Sequence, residues 1–80
     1  GEVCMSKKRE LKRQIAESEK EIVALEQKRQ RSQSSLMEAH VNNVAPNASD
    51  VEYFKLYTNL IELERENLRQ LKKVLEQLKK

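Results

Sequence analysis

Two heptad ladders of nearly equal length run through this 80-residue chain. The first is Leu11, Ile15, Ser18, Ile22, Leu25, Arg29, Ser32, Leu36 and Ala39. The second is Phe54, Tyr57, Ile61, Glu64, Leu68, Leu71, Leu75 and Leu78. Steps of four and three alternate in both, which keeps one seam of a helix turned toward a partner. Folded back around Pro46, the ladders superpose when facing positions add to 93. Leu36 then meets Tyr57, Leu25 meets Leu68, Ile22 meets Leu71 and Ile15 meets Leu78. The two charged intruders, Arg29 and Glu64, come face to face, and a charge pair within a seam disfavours competing registers. The expected fold is all-α: an antiparallel two-helix coiled-coil hairpin.

Composition supports long helices over a sheet domain. The chain is 36% charged and 38% hydrophobic, has no Trp, and has its one Gly at position 1. Gly1 reads as a cloning remnant and the chain as a piece of a larger protein. A hairpin this small buries a single seam, and chains of this size commonly need association to hold. The expectation is dimerisation into a four-helix bundle. A single cysteine, Cys4, allows no internal disulfide and favours an intracellular setting, cytoplasm or nucleus. Asn47-Ala48-Ser49 matches a glycosylation acceptor, but such triplets are frequent by chance. No apolar run approaches the roughly 20 residues of a membrane span.

The chain divides into a flexible segment 1–5, a first helix 6–41, a loop 42–49 and a second helix 50–80. Ser6 is a suitable N-cap, and Glu, Lys, Gln, Arg and Leu dominate the stretch after it. Residues 29–35 bring no large apolar group, so looser packing or local bending is expected there. Asn42 and Asn43 tolerate left-handed backbone and can end the helix, while Pro46 prevents its resumption. Ser49-Asp50-Val51-Glu52 has the form of a capping box at the next start.

Chemistry has little to stand on. Cys4 and His40 are 36 positions apart, about 54 Å along a continuous helix, so they cannot pair. His40 suits the negative end of a helix dipole, and Cys4 an extension of the seam at a partner contact. Neither Cys nor His recurs at metal-ligand spacing, and there is no glycine-rich loop for phosphate. The expectation is a non-enzymatic chain without cofactor, metal or small-molecule ligand.

Two surfaces remain. Tyr53, Leu56, Leu60 and Leu63, continued by Val74, form an apolar stripe beside the seam, wider than a two-stranded coil can cover. The first helix shows a sparser companion row of Ala16, Val23 and Met37. The second surface is basic. Lys7, Lys8, Arg9, Lys12 and Arg13 open the first helix; Arg69, Lys72, Lys73, Lys79 and Lys80 close the second. A hairpin brings both groups to one end. Each group nets +4 against +3 for the whole chain, which leaves −5 elsewhere. Lys7, Lys8, Lys12, Lys72 and Lys73 are therefore the candidate contacts to an acidic ligand.

The first functional expectation is a protein–protein interaction and oligomerisation module, part of a larger scaffold or regulatory protein. Its partner is a second copy or a helix of another protein. A nucleic-acid-binding arm ranks below it, because no aromatic or glycine is interleaved with the basic clusters for base stacking. An effector-type hairpin for a signalling GTPase is an analogy of shape alone.

Overall fold

The computed structural model describes the backbone of residues 2–79 and the side chains of residues 5–79. Two helices account for nearly all of it: α1, Glu2–Val41, and α2, Ala48–Lys79. With 40 and 32 residues, they would be about 60 and 48 Å long at 1.5 Å per residue. The molecule measures 62 × 16 × 14 Å, so the two helices lie side by side in one rod. The helical hairpin expected from the ladders is the observed architecture. Gly1 and Lys80 lie outside the described residues, as does the Cys4 side chain. The α1 backbone is helical from Glu2, ahead of Ser6, and residues 2–5 contain neither Gly nor Pro to oppose it.

The turn follows from two asparagines. Asn43 takes φ 55°, the left-handed geometry that Asn accepts more readily than most residues. Its amide donates to the His40 carbonyl at 3.2 Å, and the Val44 amide donates to the Ala39 carbonyl at 3.0 Å. These reversed bonds satisfy carbonyls that the end of α1 would leave unpaired. On the far side of Pro46, Asn47 caps α2. Its side-chain oxygen accepts from the Ser49 amide at 2.8 Å, and its carbonyl accepts from Val51 at 3.2 Å. The cap is therefore Asn47 rather than Ser49, which sits inside the first turn beside Asp50. Asn47 stands directly after the proline that breaks the chain, so it meets the free amides first.

All seventeen ladder positions are buried or half-buried, so both ladders face inward. Ile61 at 1% exposure, Leu25 at 6% and Ile22 at 8% form the centre of the seam. The register differs from expectation. Ser18 donates to Glu64, Arg29 donates to Thr58 and lies over the Phe54 ring, and Glu26 pairs with Arg65. Those position numbers add to 82, 87, 83 and 91, scattering about 86 rather than 93. The hairpin is set one heptad from the expected alignment, so Leu25 stands level with Ile61, Ile15 with Leu71 and Leu36 with the start of α2.

Extent of contact explains the choice. In the 93 alignment, Ala48 would stand level with position 45, past the end of α1, and the first turn of α2 would have no helix beside it. At 86 the whole of α2 runs against α1, and Leu75 and Leu78 reach Leu11 and Lys8. The extra apolar burial outweighs direct pairing of Arg29 with Glu64. Each intruder is satisfied separately. Half-buried Arg29 has its guanidinium carbon 5.9 Å from the Phe54 centroid and donates to the Thr58 hydroxyl at 3.4 Å. Glu64 accepts from Ser18 Oγ at 2.7 Å and from Asn67 at 3.2 Å. No buried side-chain nitrogen or oxygen lacks a partner among the described residues. The serine-rich stretch of α1 stays helical throughout, with Ser32 buried against the seam.

Candidate interaction surface

The expected stripe is exposed along α2. Exposure runs from 37% for Leu60 to 69% for Leu63, with Tyr53 and Leu56 between them. Spacings of three and four residues place the four side chains in one row, turned away from the seam that Phe54, Tyr57, Ile61 and Glu64 occupy. The Tyr53 ring stacks on Tyr57 at a centroid distance of 6.2 Å and 20° between planes. That contact ties the start of the stripe to the seam.

The wall opposite this row belongs to α1 and is polar. Near the loop, Tyr53, Tyr57 and Asp50 share a groove with Lys28, Arg31, Ser32 and Ser35. Toward the open end, Glu64, Asn67 and Leu71 share one with Gln14, Glu17, Ser18 and Glu21. Positions 14, 17, 21, 24, 28, 31 and 35 follow the same alternation of three and four, so both grooves lie on one face of the rod. The companion row does not extend the stripe. Met37 lines a separate apolar groove with Leu36, Val41, His40, Gln33 and Phe54 on the other side of the seam. Ala16 and Val23 fall in the heptad positions of Met37, so they belong to that opposite face.

At the open end, Lys7, Lys12, Lys72 and Lys73 are exposed, whereas Lys8 is half-buried on the extension of the seam. Lys8 shares a shallow groove with Met5, Arg9 and Lys12. Two of the cations in this region are already engaged locally. Arg13 pairs with Glu10 and Glu17, and Arg69 with Glu66. Hydrogen bonding to Arg13 holds the Glu10 carboxyl below its ordinary range, with Gln14 assisting. The same contacts raise the Arg13 guanidinium further above its already high value. Glu66 is lowered by the Gln70 amide first and Arg69 second. The local carboxylates thus dilute the basic end that a count of charges alone suggests.

Sequence reasoning missed two polar contacts that define the interior, Arg29 with Thr58 and Ser18 with Glu64. By spacing alone Ser18 is a neutral ladder member, yet it is the buried donor to Glu64. Its small size next to a carboxylate on the partner ladder was the available signal, and only the 86 register brings the two within reach. His40 is exposed in the last turn of α1, as its place near the dipole suggested. No cluster of three metal-ligating side chains occurs among the described residues, and no helix is long and apolar enough to cross a membrane. Among family models, curated proteins and solved structures, none matches this chain.

Proposed function

We propose that this hairpin is a non-catalytic protein–protein interaction module and that Tyr53, Leu56, Leu60 and Leu63 are where it meets a helical partner. The observation that carries this reading is the exposed row itself. The seam is filled by other residues, so these four side chains have no surface within the chain left to cover. A contiguous row of this kind marks an interface far more often than it marks simple exposure. Covering the 37–69% of each leucine that is still exposed contributes about 0.5–2 kcal/mol apiece, a drive that adds along the row and over both partners against the cost of association.

The row lies on α2 alone, which shapes the assembly. On the same face α1 carries charges, so contact is made chiefly through α2, with polar residues of α1 at its rim. Changing Leu56, Leu60 and Leu63 together to Gln keeps good helix propensity and removes the apolar drive. The variant is expected to lose self-association or its heterologous partner, and to lose helix content on dilution. Sedimentation equilibrium, melting and photo-crosslinking from position 60 in cell extract are the measurements. Equal mass, equal melting temperature and unchanged adducts would mean that the row is merely exposed.

A further inference from the structure

We infer that the occupant of this face is a second copy of the chain, laid face to face in the opposite direction about a two-fold axis level with Ala24. The inference rests on the stripe being an interface and names what covers it. Between Gln14 and Ser35 the α1 row on this face is signed: Glu17 and Glu21 lie on one side of Ala24, Lys28 and Arg31 on the other. Beyond that span Glu10, paired with Arg13, and Glu38 continue the row and come level across the axis. An antiparallel copy sets Glu17 against Arg31 of the other chain and Glu21 against Lys28, and the two-fold repeats both pairs. Half-buried Ala24 meets its own counterpart at the centre, where a methyl group permits close approach.

The same axis fixes what the α2 row meets. Past Leu63 that row continues with the polar side chains of Asn67 and Gln70 before Val74. Reversed on itself, it sets Leu60 against Leu63, Leu56 against Asn67 and Tyr53 against Gln70. With facing positions adding to about 86, Ala24 stands level with position 62. Leu60 and Leu63 therefore meet each other's counterparts at the axis beside the paired charges of α1, which makes the centre of the interface self-complementary.

Orientation is also decided by charge. Hairpins stacked in the same direction would lay α1 of one chain over α2 of the other, bringing Glu21 beside Glu64 and leaving Glu17, Lys28 and Arg31 without an opposite charge on that face. Among the described residues Glu21, Lys28 and Arg31 form no ion pair within the chain, so their charges are available to a second molecule. Glu17 is held by Arg13 through one carboxylate oxygen, in an exposed pair.

The test is a charge exchange followed by sedimentation equilibrium. Glu17→Lys with Glu21→Lys makes the α1 face wholly positive; Lys28→Glu with Arg31→Glu makes it wholly negative. Each variant alone is expected to self-associate at least about tenfold more weakly, because attraction becomes repulsion at four symmetry-related contacts. An equimolar mixture is expected to recover the affinity of the unaltered chain, a result that misfolded variants could not give. Ala24→Cys, with Cys4→Ser, is expected to form a symmetric disulfide dimer on oxidation. A chain that stays monomeric to about 100 µM overturns the inference, as does failure of the mixture to recover. A dimer abolished by the leucine-to-glutamine changes but indifferent to both charge variants overturns the antiparallel alignment and leaves the stripe as the interface.

Discussion

Asn43, at φ 55°, holds a geometry that costs an ordinary L-residue about 1–2 kcal/mol, and Asn47 supplies an acceptor to an amide that would otherwise go without. Replacing Asn43 by Val is expected to destabilise the hairpin by about 1–2 kcal/mol, while Gly there is neutral or better. Asn47→Ala is expected to cost about 1 kcal/mol. Urea unfolding of the three variants checks this, and unchanged midpoints for Asn43→Val and Asn47→Ala would show that other contacts set the turn. Asn43 was legible in the sequence because few residues accept left-handed backbone. The second cap was not. Asn47 and Ser49 are both good N-caps two positions apart, and the choice depends on where the chain emerges from Pro46. The triplet that resembles a glycosylation acceptor is, structurally, the start of α2.

For the two helices, the seam was readable and its alignment was not. Periodicity identified every buried ladder position, since each side chain's face follows from spacing alone. A ladder that repeats every seven residues, however, looks almost the same after a slip of seven. Only the exceptions distinguish the registers, and Arg29 and Glu64 proved poor guides because each has an alternative partner. The deciding quantity was the length of α2 left without a neighbour, which depends on where the loop ends. Cysteines at Leu25 and Ile61, with Cys4 replaced by Ser, should therefore close an intrachain disulfide under mild oxidation. Cysteines at Leu25 and Leu68 should not, because seven residues displace them by about 10 Å along the helix, beyond the roughly 7 Å that a disulfide spans. Rapid closure of the second pair would restore the 93 alignment.

At the scale of the whole rod, charge is distributed unevenly but not strongly. The exposed lysines gather at the open end, where Glu10, Glu17 and Glu66 neutralise neighbouring arginines. Binding to RNA or DNA is expected to be weak, indifferent to sequence and lost near physiological salt, because a few phosphate contacts are released steeply by counterions. Changing Lys7, Lys8, Lys12, Lys72 and Lys73 to Gln should abolish what remains in a filter-binding or polarisation assay. A tight complex persisting at physiological salt would instead make the basic end the principal surface. The candidate interface was legible as a surplus of apolar residues on α2. Its polar counterpart on α1 was not, since a row of mixed charge reads as solvated surface until the register sets it beside the leucines. The turn at Asn43 also orders events in time. Leu36 and Val51, on either side of it, are 15 positions apart in the chain, whereas Lys8 and Leu78 at the open end are 70 apart. The entropy of closing a loop grows with its length, and each pair that forms shortens the loop left for the next. The hairpin therefore zips outward from Asn43, with the lysine-bearing end the last to join and the first to fray.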